Sequence, residues 1–166
     1  MPRRKVIRNI EVPIGPSIAY IPLTKGLFAL IDREDVDRCQ PYTWTAMKTG
    51  YAQTCLNYTH FTLHRFLLAA PDGVQVDHRD NSRRLDNRVR CGQIRLATRS
   101  QNQCNRGPNR NGLKGIWLYK PNGKWAATIQ VNGKKICLGY FFTPEEAHAA
   151  YCAASKRYHG KFGRTA

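Results

Sequence analysis

Acidic residues are scarce in this chain: 11 Asp and Glu stand against 27 Lys and Arg, for a formal charge of +16 over 166 residues. Self-repulsion on that scale does nothing for the stability of a small fold, so it points to a polyanionic partner. Long apolar runs are also missing. None approaches the roughly 18 to 20 residues that a bilayer span needs. The basic start Met1-Pro-Arg-Arg-Lys leads into segments broken by Pro13, Pro16 and Pro22, unlike the unbroken apolar stretch of a secretory leader. A membrane partner is thereby set aside, a cytosol is the expected compartment, and nucleic acid is the polyanion that fits, because cations along a groove displace counterions condensed on phosphates. Paired cysteines are the third absence. Cys39, Cys55, Cys91, Cys104, Cys137 and Cys152 are scattered with no C-x-x-C spacing. That excludes the usual zinc knuckle and leaves the six, in a reducing cytosol, as small buried hydrophobes.

What is present divides into three textures. Residues 17–70 hold short β-like runs (18–23, 27–31, 42–46 and 50–55) punctuated by Lys25-Gly26 and Thr49-Gly50, then an apolar stretch at 63–70 that reads as a short buried helix stopped by Pro71-Asp-Gly. Residues 72–106 alternate short apolar pieces, 74–76 and 94–96, with a loop rich in Arg, Asn and Asp, and a helix is expected from about Ser100. Over 79–110 nine Arg face two Asp, a net of +7. Residues 107–112 are dominated by Gly, Pro and Asn and read as a linker. Beyond it a β-β-β-α order is expected, with Pro121-Asn-Gly and Asn132-Gly133 as turns, the second a two-residue hairpin signal. Thr143, Pro144 and Glu146 form the cap, first helical position and capping-box acid of the last helix, whose Ala147, Ala150, Tyr151, Ala154 and Tyr158 share one face and which Gly160 ends.

The string Val76-Asp77-His78, then Leu85-Asp86-Asn87-Arg88, then Ile94-Arg95, Asn102 and Asn105 resembles the HNH, or ββα-metal, nuclease signature, and Leu63-His64-Arg65-Phe66 resembles the helix that precedes it in many phage and intron-associated members. The resemblance implies a metal-dependent DNA endonuclease with Asp77 and Asn102 on the metal and His78 as general base. Hard oxygen ligands of that kind suit Mg²⁺ or Mn²⁺, and an imidazole near its unperturbed pKa can take the proton of the attacking water. Where the family usually carries Asn-Leu-Arg, this chain has Gln93-Ile94-Arg95, so either Gln93 or Asn87 braces the loop and orients the base. His64, taken alone, reads as a core histidine. Arg79, Arg83, Arg84, Arg99 and Arg106 are candidates for phosphate contacts.

At the C-terminus, Lys114-Gly-Ile-Trp117, Gly123-Lys-Trp-Ala-Ala, Leu138-Gly-Tyr-Phe and Thr143-Pro-Glu-Glu-Ala resemble an AP2 domain across nearly all of residues 112–163. The resemblance implies a three-stranded sheet that meets DNA in the major groove, with Lys114, Trp117, Tyr119, Lys124, Thr128, Gln130 and Lys135 at the contacting positions. Trp125 is as readily a packing residue of the sheet. Lysines stand where plant members place arginines, so forked reading of guanine is weakened. The fold class expected is therefore α+β: an HNH domain with a β-rich N-terminal extension at 1–106, a linker at 107–112 and an AP2-like module at 113–166. The expected partner is double-stranded DNA, with no small-molecule cofactor and a monomeric chain. A DNA-binding regulator without catalysis is the alternative.

Overall fold

The computed structural model describes residues 8–15, 17–108 and 112–165, and the chain is α+β, built of several small antiparallel sheets and a C-terminal helix. It divides into two compact units between Leu96 and Ala97, ten residues before the linker expected from composition, of which residues 109–111 lie outside the described part. No described helix is long and apolar enough to cross a membrane.

In the first unit, β1 (Ile18–Pro22) and β2 (Phe28–Asp32) form an antiparallel hairpin. Their register sets Ala19 against Ile31 and Ile21 against Ala29, so each buried pair joins one small and one branched side chain and the face stays level. A short helix α1 (Val36–Cys39) follows, then a three-stranded sheet of β3 (Thr45–Ala46), β4 (Ala52–Leu56) and β5 (Thr59–Thr62). The turn between β4 and β5 places Asn57 and Tyr58 at φ of 44° and 62°, the pair of positive values a tight hairpin requires. Helix α2 (Leu63–Leu67) sends Leu63 and Leu67 into the same core as Ile21, Ile31, Trp44 and Ile94. The unit ends in a second hairpin, β6 (Gln75–His78) paired with β7 (Ile94–Ala97), whose last residue begins the second unit.

The second unit starts with helix α3 (Arg99–Cys104), opened by a capping box in which Thr98 and Gln101 satisfy each other's backbone amides. Strands β8 (Ile116–Tyr119), β9 (Lys124–Val131) and β10 (Lys134–Phe141) form a meander in the order β10-β9-β8, and α4 (Pro144–His159) lies across one face. Thr143 and Glu146 make the expected capping box and Gly160 the C-cap. The buried stripe is Ala147, Tyr151 and Ser155; Tyr158, expected on it, is 43% exposed, because an (i, i+4, i+8) row carries the buried face past it. The cysteines depart from expectation as well: Cys39 is buried, Cys104 and Cys152 are half-buried, and Cys55, Cys91 and Cys137 are exposed, all as free thiols.

Candidate functional site

Strand β6 sends neighbouring residues to opposite sides, and both of its last two side chains are buried, Asp77 at 1% exposure and His78 at 2%. On the Asp77 side, the cross-strand neighbour Arg95 donates from Nε at 2.8 Å and Nη2 at 2.7 Å, both to Oδ2. On the His78 side, three elements converge. The His64 ring of α2 lies 5.1 Å from the His78 ring and nearly perpendicular to it, and Tyr51 lies 5.4 Å from His78 and 5.2 Å from His64. His64, half-buried, is therefore the neighbour of His78. It sits there because Arg65, beside it, donates to the carbonyls of Ala70, Pro71 and Val74 and so fixes the approach to β6.

The third element is the loop after β6, whose fold explains Asn87. The edge of β2 grips it: the Leu30 amide donates to the Leu85 carbonyl and the Asn87 amide to the Leu30 carbonyl, both at 2.8 Å. Asp32, buried at the end of β2, accepts from the amides of Val89 at 2.6 Å and Arg90 at 2.9 Å. The Asn87 Nδ2 donates to Leu85 O at 2.9 Å, which turns the donor end of the amide into its own loop. Asp86 and Arg88 of the same string close a forked ion pair at 2.7 and 2.8 Å. Burial lifts the Asp86 carboxyl, and Arg88 more than offsets this and holds it below the usual carboxylate range.

The alternatives left open at the altered loop separate here. Gln93 braces: its Nε2 donates to Asp80 O at 3.1 Å, while its backbone carbonyl accepts from the Arg79 amide at 2.7 Å. Asn87 lies close to His78. Burial drives the His78 pKa below the ordinary imidazole value, opposed by the Asn87 side chain and Arg84 backbone beside the ring and by the charges of Asp77 and Asp86. Burial, His78 and Arg65 together push His64 down to about 4. Burial thus disfavours a proton on either of two imidazoles whose rings lie 5.1 Å apart.

Around this pocket the arginine loop is exposed but not loose. Arg83 pairs with Asp80 at 3.3 Å, and Arg84 donates to Thr49 O at 2.7 Å with its guanidinium 5.5 Å from the Tyr51 ring. Together with Gly50, Asp86 and Arg88 they line a groove of about 630 Å³. Arg79 is exposed beside them. Asn102 stands on α3, half-buried, in the second unit, so the first unit assembles Asp77, His78, Asn87 and Gln93 but not Asn102. Among the described residues no three His, Cys, Asp or Glu gather as a metal-binding set. The Asp77 carboxylate is a hard oxygen donor of the class that Mg²⁺ takes, and its Oδ2 is engaged by Arg95.

In the second unit, the register puts Trp117 and Tyr119 of β8, Lys124, Thr128 and Gln130 of β9 and Lys135 of β10 on the sheet face away from α4. These are six of the seven positions expected there. Lys114 is the exception. Its ammonium donates to the carbonyls of Cys104 and Arg106 and is half-buried, so it closes the end of α3 and is committed inside the fold; burial lowers its pKa. Trp125 faces α4 and packs on Ile116 and Ala127. Arg99 and Arg106 are exposed.

Comparison of the chain with protein-family models, with curated proteins and with solved structures finds no match in any of the three. The residues around His78 and its loop that sequence reasoning passed over are Tyr51, Asp32 and the pairing of Arg95 with Asp77. Only the last left a usable trace, opposite charges on two strands that a hairpin brings face to face.

Proposed function

We propose that the protein is a metal-dependent DNA endonuclease in which His78 is the general base. The observation that carries this is the buried His78 imidazole, packed against His64 and Tyr51 next to the buried Asp77 carboxylate and followed by an arginine-rich loop. A neutral imidazole with a depressed pKa is already in the proton-accepting form at neutral pH, and its burial keeps bulk water from competing for the nitrogen. His78 takes the proton of the attacking water and holds it on the ring, Asn87 stabilises the imidazolium so formed, and Arg79, Arg83 and Arg84 seat the phosphate backbone. Asp77 would hold the divalent cation, and Asn102 is the second ligand that the resemblance implies; when bound, the ion offsets charge on the phosphate and the leaving oxygen. The outer face of the C-terminal sheet, with Trp117, Tyr119, Lys124, Thr128, Gln130 and Lys135, then brings DNA to the nuclease by raising its local concentration.

The second reading is a DNA-binding protein without catalysis, and one observation favours it: Arg95 already neutralises Asp77. Incubation of supercoiled plasmid with the protein in Mg²⁺ or Mn²⁺ separates the two. The endonuclease reading expects relaxed or linear product from the wild type and none from His78→Ala or in EDTA. Retention of DNA in a gel with no product in either metal leaves the binder.

A further inference from the structure

On the outer face of the C-terminal sheet, the side chains form an apolar floor with a cationic border. Trp117 and Tyr119 meet edge to face at 5.5 Å, and Tyr140, from β10, joins Tyr119 at 5.2 Å. Ala126 lies in the row between Trp117 and Tyr140 and is only 1% exposed, which fits two large rings flanking its small side chain. They are nevertheless open to solvent themselves, at 42% and 48%, with Phe142 just beyond at 79%. Three exposed aromatic rings, with the half-buried Tyr119 among them, are costly to leave uncovered on one face of a small sheet. Lysines, not hydrophobic neighbours, border them: the Lys135 ammonium lies 5.4 Å from the Trp117 ring and that of Lys124 lies 4.3 Å from Phe142.

The same face runs into a groove of about 950 Å³ lined by Arg99, Arg106, Lys114, Thr128, Gln130 and Lys135. The only acidic residues of the second unit, Glu145 and Glu146, lie in the first turn of α4, on the other face of the sheet. The surface therefore combines rings and positive charge without a competing anion. What it lacks is the chemistry of base-edge reading. No arginine occupies the outer positions of the three strands, and the Gln130 amide is turned to the Gly133 carbonyl. A duplex presents base edges in its groove, where exposed rings have little flat surface to meet. An unpaired base presents a π-face, and sequence-tolerant stacking on aromatic side chains beside a basic track is how single strands are held.

We propose that this face is a platform for single-stranded DNA, with unpaired bases stacked on Trp117, Tyr119 and Tyr140 and the phosphates tracked through the groove by Arg99, Arg106 and Lys135. The platform deepens the DNA partnership of the proposed function and rests on that partnership, but it does not require cleavage. A nuclease so equipped holds the unpaired strand of a frayed or already nicked site, where a duplex-only module slides past.

The test is fluorescence anisotropy of the full chain in EDTA with three labelled probes of about 20 nucleotides, enough to span one such site: a thymidine oligonucleotide, an abasic oligonucleotide of the same charge, and a duplex. The expected result is that the thymidine strand binds at least fivefold more tightly than the abasic strand and at least as tightly as the duplex. Trp117→Ala and Tyr140→Ala remove that preference, and Trp117→Phe keeps it. Equal affinity for the thymidine and abasic strands overturns the proposal on the wild type alone, whatever the variants do. So does a tenfold preference for duplex. Plasmid cleavage in Mg²⁺, assayed in parallel, fails or succeeds independently, so loss of the platform and loss of the nuclease reading are told apart.

Discussion

Asp77 and Arg95 meet with side-chain exposures of 0% and 16%, and a pair so enclosed depends on both partners. Removing the cation strands a carboxylate in the interior, a situation that costs about 3–5 kcal/mol. Arg95→Ala is accordingly expected to lower the unfolding free energy in urea by that amount; a loss below about 1 kcal/mol would show the pair to be solvated. His64 makes a second residue-scale prediction. Its folded pKa of about 4 lies below the ordinary 6.5, so between those values the unfolded chain takes up a proton that the folded chain refuses. Stability is then fully present above pH 6.5 and declines as pH falls toward 4, by about 2–3 kcal/mol with allowance for partial solvent access. Thermal melts of the wild type and His64→Phe between pH 7.5 and 4.5 check this, with the shallower slope expected in the variant. Identical slopes would contradict it.

Elements were legible in the sequence to the degree that their signals were local. The Asn132-Gly133 turn and the Thr143-Pro144-Glu146 cap define β9, β10 and α4 almost to the residue, because hairpin turns and helix caps are written in adjacent positions. Strand β5 and helix α1 escaped: Asn57-Tyr58 carries no glycine to announce its turn, and four residues at 36–39 are too few for a periodicity. In the site, Asp77, His78, Asn87 and Gln93 were legible as a motif, whereas the docking of their loop on β2 through Asp32 joins positions 57 and 58 apart in the chain and leaves no local mark. Asp32→Ala therefore tests whether the first hairpin positions Asn87. It strips the acceptor from two backbone amides, with an expected loss of about 2 kcal/mol and a fall in cleavage rate larger than any change in DNA affinity; unchanged cleavage would remove Asp32 from the site's support. In the second unit one close approach is at Gly115, whose φ is +78° and where a Cβ would run into the Tyr151 ring. Gly115→Ala combines backbone strain with overpacking and should cost about 2–4 kcal/mol, read as earlier loss of the unit's near-ultraviolet signal.

At the scale of the whole molecule the positive charge is unevenly shared. Residues 97–166 carry 12 basic and two acidic side chains, a net of +10, and residues 1–96 carry 15 and nine, a net of +6. Binding to DNA is therefore expected to weaken steeply with salt, by about 10³-fold or more between 50 and 200 mM if six or more phosphates are neutralised; a flat dependence would mean that the basic surface does not meet phosphates. Composition alone disclosed this property, since charge needs no fold to be counted. The nuclease reading depends instead on one buried nitrogen, and the pH dependence of single-turnover plasmid cleavage addresses it most directly. The account predicts that the wild-type rate in saturating Mg²⁺ falls at a lower pH than an ordinary imidazole would impose, because burial disfavours the protonated His78 ring, and that His78→Ala gives no product at any pH. Cleavage by His78→Ala at the wild-type rate, or no cleavage by the wild type in Mg²⁺ or Mn²⁺ at any pH, would contradict it.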